Sequence, residues 1–289
     1  MLLQFLINGF ITGILYSIAA IGFALVYNTT RIFHIAAAAV HVVAAYIFYS
    51  TYHILGLPLV LAGIISTLLS ALLSILCEWC VYRPQYIKNA SINVIMISSI
   101  GLMTVLINMV AMYFGNETKI LNNNIQATYT WGTLIVTHPQ MLQLIFGGIF
   151  IIIFVFFVRY SRFGLRINAL SNNPILFETL GFNIYITRTY IFALSGIFLA
   201  LNSCLSAYDI GINPYTGMPL FINAMVAMII GGVGRFDACI LGGISLGILQ
   251  SFLVYYFSAN WQNAITFLLL LLFLFFRPQG ILGYKKRTV

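Results

Sequence analysis

The chain has 289 residues, of which only 6% are charged and 62% are hydrophobic, whereas a typical soluble domain carries about 25% charged residues. This composition excludes an ordinary soluble domain and indicates an integral membrane protein. The 13 Lys and Arg exceed the 5 Asp and Glu, giving a net charge of +8 that would suggest nucleic acid for a soluble chain. In a membrane protein the positive-inside rule explains this excess, so no nucleic-acid partner is expected.

Hydropathy and helix breakers divide the chain into nine apolar segments, each a candidate transmembrane helix. They lie near residues 3–27, 34–52, 58–81, 92–114, 140–158, 189–208, 219–234, 238–257 and 262–276. The seventh is short and ends in glycines, which predicts either a short tilted span or a half-helix enclosed by protein. The sequence therefore predicts an all-α polytopic membrane protein with eight or nine transmembrane helices and one domain, residues 1–289.

The distribution of cations predicts how the chain is oriented. If the N-terminus lies outside and every segment crosses, every Lys and Arg except Lys119 falls on the inner side, as the positive-inside rule requires. The prediction is an outer N-terminus and an inner C-terminus. The Asn-rich connection 115–139 is then external, and the basic connection 159–188 is cytoplasmic.

The predicted spans lack an ionisable residue at mid-membrane, which transporters driven by protons or sodium usually carry. Glu78 falls near the inner end of its segment, where Arg83 could pair with it. For His41, a neutral ring bonded to a neighbouring helix is favoured over a proton relay, because no partner carboxylate is evident. The driving force is therefore expected from a separate energising subunit, and a stand-alone carrier or channel for a small neutral solute is the alternative.

Neutral polar residues and glycines within the spans form one set of candidate residues. The polar side chains could line a path for a solute or simply bond between helices, and the glycines allow helices to pack closely. Gly243 and Gly247 form a G-x-x-x-G pair, which indicates tight packing within the bundle or with a second subunit. The candidates for pathway or packing are Asn8, Thr12, His41, Asn93, Asn108, Asn202, Gly231, Gly232, Gly234, Gly243 and Gly247.

Within the basic connection the sequence predicts one short helix, from about Asn173 to Leu180. Asn is a favoured N-cap, Pro174 suits the first turn and Gly181 is a favoured stop, while Glu178 falls early in the helix, where a negative charge suits the helix dipole. The apolar stripe of this helix consists of Ile175, Leu176, Thr179 and Leu180. Two interpretations compete: a helix lying on the membrane surface, or a helix that docks into a soluble partner.

Catalytic motifs are missing from the sequence: it contains no P-loop, nucleophile elbow, HExxH or paired carboxylates. We therefore predict no catalytic residue and no metal site. A membrane-embedded enzyme would need a cluster of reactive groups at one interface, and Arg235 with Asp237, near Arg162 and Arg166, offers little of that kind.

Three segments carry a resemblance to one known family: "SRFGLRINALSNNPILFETLGFNI", "VAMIIGGVGRFDACILGGISLGILQ" and "LFLFFRPQGILG". They are similar, in that order, to the cytoplasmic loop, the glycine-rich segment and the closing segment of the branched-chain amino acid ABC importer permeases of the LivH/LivM type. The matching residues are Gly164, Arg166, Asn173, Pro174, Gly181, Gly231, Gly232, Gly234, Gly242, Gly243, Leu246, Gly247, Arg277, Pro278, Gly280 and Gly283. The chain departs from the family at His34–Ala39, which lacks the usual Gly and acid, and at Gln250, where an acid is common.

The resemblance implies the permease subunit of an ATP-binding-cassette importer in a bacterial inner membrane. It implies that two ATPase subunits hold ATP and Mg and bind the cytoplasmic helix, so this chain needs no cofactor of its own. A periplasmic solute-binding protein would deliver branched-chain or other hydrophobic amino acids, with amides, urea or other solutes left open. A LivM-like second permease, or a second copy of this chain, would complete the path within the membrane lipid. The residues implied for ATPase coupling are Gly164, Arg166, Asn172, Asn173, Pro174, Leu176, Glu178, Thr179, Leu180 and Gly181.

Overall fold

The computed structural model describes residues 2–121, 127–131, 134–258, 261–277 and 280–282. The chain forms two compact units, each built from separated stretches of sequence. The first unit comprises Met1–Ala24, Asn124–Val155 and Ile222–Val289, and the second comprises Leu25–Asn123 and Phe156–Phe221. The basic connection that carries the predicted coupling residues belongs wholly to the second unit.

Helices dominate the described residues, as the sequence predicts. The α-helices are α1 Leu2–Thr30, α2 Ala37–Tyr49, α3 Leu59–Cys77, α4 Arg83–Ile87, α5 Ile92–Phe114, α6 His138–Tyr160, α7 Arg162–Asn172, α8 Pro174–Thr179, α9 Ile184–Ile210, α10 Gly217–Gly231, α11 Phe236–Tyr256 and α12 Gln262–Phe276. Two π-helical turns interrupt them: Ser50–Ile54 extends α2, and Glu78–Tyr82 joins α3 to α4. Strands β1 Thr128–Trp131 and β2 Leu134–Thr137 form an antiparallel hairpin in the Asn-rich connection that the sequence predicted to be external.

Seven helical stretches in the described part of the chain are long and apolar enough to cross a membrane. They are Leu2–Thr30, Ala37–Ile54, Leu59–Ile87, Ile92–Phe114, His138–Tyr160, Ile184–Ile210 and Phe236–Tyr256. Helices α10 and α12, at 15 residues each, are roughly 22 Å long, short of the roughly 30 Å hydrocarbon core. Each of the nine predicted apolar segments therefore contains a helix, and the prediction of an all-α polytopic membrane protein is confirmed.

In the second unit, α3 and α9 pack closely because small side chains line their contact. Ser66, Ser70 and Ser74 follow one another at four-residue spacing on α3 and are fully buried. A Cβ added to Gly196 of α9 would lie only 2.5 Å from Ser74 Oγ and 2.7 Å from the Ser70 carbonyl oxygen. The Ser66 hydroxyl also donates to the Ala44 carbonyl of α2, at 2.7 Å. The three helices thus form a tightly packed core, as expected where small residues let membrane helices approach.

The first unit has an equally close contact between α1 and α11. A Cβ on Gly9 would lie 2.8 Å from Ile248 Cα, and one on Gly13 would lie 2.8 Å from Ile244 Cα. On the facing helix, Gly247 abuts the backbone of Gly13. The predicted G-x-x-x-G pair therefore packs within this chain, against a helix of the same unit.

Two of the segments with family resemblance meet in the first unit. The turn between α10 and α11 contains Gly232, with φ +132°, which a side chain would strain. Residues 280–282 lie against this turn: Ile281 N donates to Ile230 O at 2.8 Å and Leu282 N to Gly231 O at 2.9 Å. A Cβ on Gly280 would lie 2.5 Å from Gly232 Cα. Both glycines are thus explained by one close backbone contact.

The α1–α11 contact predicts the effect of adding a single methyl group. Gly247→Ala places a Cβ against the backbone of Gly13. We therefore expect the free energy of unfolding, measured by thermal unfolding in detergent, to fall by about 1–3 kcal/mol. Gly148→Ala is the matched control, because a Cβ at Gly148 meets nothing within 4 Å, and its stability should be unchanged or slightly higher. Equal melting temperatures for the two variants would contradict the close α1–α11 packing.

Candidate functional site

The basic connection contains two helices, where the sequence predicted one. The additional helix, α7, begins at a capped turn in which Ser161 Oγ accepts a hydrogen bond from Gly164 N at 2.8 Å. Gly164 has no space for a side chain, because a Cβ there would meet the carbonyl oxygens of Phe157 and Val158. The missed signals were the Ser cap and the apolar positions Ile167 and Leu170 at helical spacing, both of which are buried.

Helix α8 lies where the sequence predicted a short helix. Asn173 caps it, accepting a hydrogen bond from Leu176 N at 3.1 Å through Oδ1, and Pro174 occupies the first turn. Gly181 ends it with φ +84°, a left-handed conformation that favours glycine. The buried ring of Phe177 stacks on Phe182 with 5.1 Å between centroids. The helix is therefore held by a cap at one end, a glycine at the other and one aromatic anchor.

The outer face of α8 is exposed and apolar. Ile175, Leu176 and Leu180 have exposed fractions of 77%, 56% and 64%. The remaining residues predicted for coupling on this surface are also exposed, namely Arg166, Asn172, Asn173, Pro174, Glu178, Thr179 and Gly181. Gly164 is the exception, since it is buried in the turn before α7. The structure thus leaves every predicted coupling residue except Gly164 exposed.

The first turns of α9 hold a buried ion pair that the sequence interpretation assigned wrongly. Glu78 pairs with Arg188 and not with Arg83: Arg188 Nε donates to Glu78 Oε1 at 2.7 Å, and Nη2 donates to Oε2 at 3.2 Å. The side chains of Arg188 and Glu78 are only 2% and 1% exposed. Arg83 instead lies over the ring of Tyr185, 4.9 Å from its centroid. The partners are 110 positions apart in sequence, so local spacing favoured the wrong arginine.

Further contacts join the start of α9 to the segment 78–87. The Trp79 indole N–H donates to Thr189 Oγ1 at 3.1 Å. The Arg188 guanidinium lies 4.4 Å from the centroid of the Tyr86 ring, a cation–π geometry that adds attraction to a desolvated arginine. The segment 78–87 and the base of α9 are thus fixed to one another by an ion pair, a hydrogen bond and two cation–π contacts.

The same π-helical turn reaches the loop before α2. Tyr82 Oη lies 2.8 Å from His34 Nδ1 and 2.8 Å from Ser99 Oγ. Ser99 Oγ also accepts a hydrogen bond from Ala36 N at 3.0 Å. The segment His34–Ala39, which departs from the family pattern, is therefore tied to Tyr82 and Ser99.

The pathway candidates of the second unit do not converge on one site. His41 makes the expected bond to a neighbouring helix, with Nδ1 3.2 Å from Leu199 O, and its own carbonyl accepts from Ser203 Oγ at 2.7 Å. Asn202 is buried on α9. Asn93 and Asn108 instead lie at exposed positions of α5. The sequence therefore grouped buried and exposed polar residues that the structure separates.

In the first unit, most of the candidate residues serve packing and turns. Gly243 lies against Ser17 and Gly247 against Gly13. Gly231 abuts Ala238, while Gly232 and Gly234 adopt positive φ in the turn before α11. The half-buried residues Asn8 and Thr12 bond locally along α1, Thr12 Oγ1 donating to Asn8 O at 2.9 Å.

A buried polar network of the first unit was missing from the predicted candidate set. Gln250 Oε1 accepts from Tyr16 Oη at 2.8 Å, and Gln250 Nε2 donates to Asn223 Oδ1 at 3.2 Å and to Thr266 Oγ1. Each of these residues lies on a different helix. An amide can donate and accept at once, so a glutamine at the position where the family commonly has an acid serves as the centre of the network.

Fold and site together define the class of protein: a multi-pass, all-α membrane protein with an exposed apolar helix in a basic connection. A family model described as the permease component of branched-chain amino acid transport systems matches residues 5–274. The chain therefore belongs to this permease family, as its three sequence motifs implied.

Curated relatives cover nearly the whole chain. It is 27% identical to the high-affinity branched-chain amino acid transport system permease protein LivH of Escherichia coli strain K12, over 97% of this chain and 95% of that protein. The protein BraD of Pseudomonas aeruginosa, described in the same words, is also 27% identical over 97% of this chain and 95% of its own length. These relatives fit the predicted location, a bacterial inner membrane.

A solved structure shares the fold. A chain of PsaBC from Streptococcus pneumoniae, solved in complex with Fab, aligns with a TM-score of 0.52 and 18% identity. The alignment covers 95% of this chain and 92% of the other. At this identity the likeness supports the helical fold and says nothing about the substrate.

The cap of α8 predicts a local effect. Asn173→Ala removes the hydrogen-bond acceptor of Leu176 N. We expect this change to lower the stability of the helix by about 1 kcal/mol. Hydrogen exchange measured across residues 174–180 should accelerate accordingly. Asn172→Ala is the matched control, because its side chain bonds only to Asn168 O within α7, and it should leave that exchange unchanged. Equal protection in the two variants would show that Asn173 does not cap the helix.

Proposed function

We propose that this chain is the membrane-spanning permease subunit of an ATP-driven importer for branched-chain or other hydrophobic amino acids. Family membership over residues 5–274 supports the transport role, and the names of the relatives support the substrate class. The observation that carries the mechanism is the exposed apolar face of α8 in a polar, basic connection.

That face suits a protein partner better than solvent. Exposed Ile175 and Leu176 lie on a helix of six residues, and exposed Leu180 directly follows it. A helix of this length is too short to be stable alone. The Asn173 cap and the Phe177 anchor hold it in a fixed orientation, so it can dock without first having to fold. We assign it to the ATPase subunit of the importer, which would bind ATP and Mg and transmit its closure through this contact.

The remaining partners follow from the same division of labour. A periplasmic binding protein would deliver the amino acid to the outer side, and a second permease, LivM-like or identical to this chain, would complete the path. In this scheme the chain has no catalytic site of its own. Its membrane segments supply the route, and its partners supply the energy and the initial selection of solute.

Reconstitution tests this function directly. The complex is purified through a tag on this chain, placed in vesicles with its binding protein, and supplied with labelled leucine, isoleucine or valine. We expect uptake that requires ATP, and little uptake of urea or a simple amide. ATP-independent uptake by the chain alone, driven by an ion gradient, would contradict the proposal and identify a stand-alone carrier.

The docking face predicts the effect of a polar substitution. Leu180→Ser should weaken recovery of the ATPase and lower ATP-dependent uptake by about tenfold, the loss expected when an apolar interface anchor is removed. Leu55→Ser is the matched control: Leu55 is similarly exposed, at 67%, but lies in a connection predicted to be external. If both variants retain the ATPase and transport normally, α8 is not the docking helix.

A further inference from the structure

We propose that Glu78 and Arg188 are a positioning pair that transmits movement of α8 to the start of α2. This inference rests on the proposed function, since it needs an ATPase that acts on α8. It assigns a role in coupling to residues that the sequence placed among ordinary inner-side charges.

The first step runs from α8 to α9. Only residues 180–183 separate the end of α8 from the first residue of α9. Phe182, within this link, stacks on Phe177 of α8, and Asn183 caps α9 by accepting from Ile186 N at 3.1 Å. Because this link is short and held at both ends, a displacement of α8 also displaces the first turns of α9.

The second step runs from α9 to the π-helical turn. Both charges of the Arg188–Glu78 pair are almost fully buried, and both oxygens of the carboxylate are engaged. Separating the partners would leave two uncompensated charges away from water, which is strongly unfavourable. The base of α9 and the turn Glu78–Tyr82 must therefore move together.

The third step runs from the π-helical turn to α2. The turn begins at Glu78 and ends at Tyr82, whose hydroxyl contacts His34 and Ser99. Ser99 in turn holds Ala36 N, immediately before α2. Single π-helical turns inside α-helices are frequent at functional sites. The contacts thus form one continuous route from the docking helix to the entrance of a candidate span.

The chemistry of the ion pair allows an experiment to distinguish a role in stability from a role in transmitting movement. Replacing a buried ion pair by apolar residues of similar volume is often neutral for stability, whereas removing one partner is destabilising. A structural role alone therefore predicts that the double apolar variant behaves like the wild type. A transmitting role predicts a folded protein in which ATP hydrolysis no longer drives transport.

The experiment measures labelled substrate taken up per ATP hydrolysed in reconstituted complexes, together with the melting temperature of each complex. We expect the double variant Glu78→Leu, Arg188→Met to melt near the wild type but to lose about tenfold in this ratio, within the usual range of coupling between sites. Lys88→Gln is the matched control, because Lys88 is an exposed cation just beyond the same segment and outside these contacts, and its ratio should be unchanged.

A conservative variant covers the case in which the double variant fails to assemble. Arg188→Lys keeps the charge and one contact with Glu78 but loses the two-pronged contact that fixes the orientation of the two elements, so its ratio should fall less than that of the double variant, while its melting temperature stays near the wild type. A wild-type ratio in either assembled variant would overturn the inference. ATP-dependent uptake by the wild-type complex, measured in parallel, separates this outcome from failure of the proposed function itself.

Discussion

The structure depends on one constraint, the lack of water in the hydrocarbon core, which makes each buried polar group seek a partner inside the protein. The second unit meets it with the Arg188–Glu78 ion pair and the Tyr82, His34 and Ser99 contacts. The first unit meets it with an amide network around Gln250. In both units these contacts join different helices, so the groups that are most costly to bury also fix how the helices are arranged.

Close packing makes these polar contacts possible. Hydrogen bonds reach only about 3 Å, so helices that carry them must approach closely, and small residues permit that approach. Gly196 faces the carbonyl oxygen of Ser70 and the hydroxyl of Ser74 on α3. This helix leads directly into Glu78. Gly13 and Gly247 bring α1 against α11, the helix that carries Gln250. The spacing of glycines and serines thus allows the close helix contacts that the buried polar groups need in order to form hydrogen bonds.

The sequence predicted the parts of the fold that depend on local chemistry. Hydropathy located the apolar helices, and Asn173, Pro174 and Gly181 located α8, because caps and stops act within one turn. It did not predict the pairing of Glu78 with Arg188, since partners 110 positions apart are selected by packing. The network of Gln250 and Asn223 has the same cause. Helix α7 and the β-hairpin were not predicted, because both are short and lie in charged or polar connections. The Ser cap of α7 and the alternating residues of the strands are weak signals in such a sequence.

The buried acid also bears on how transport is energised. A carboxylate that drives transport by ion binding needs a free coordination position, which it occupies and vacates in each cycle. Both oxygens of Glu78 are already engaged by Arg188, and the arginine is also stacked on Tyr86. Breaking this pair so that Glu78 could bind an ion would leave the Arg188 guanidinium buried and unpaired, which costs a large amount of free energy. A fixed pair suits mechanical transmission far better than ion exchange, which favours an energy source outside this chain acting through α8.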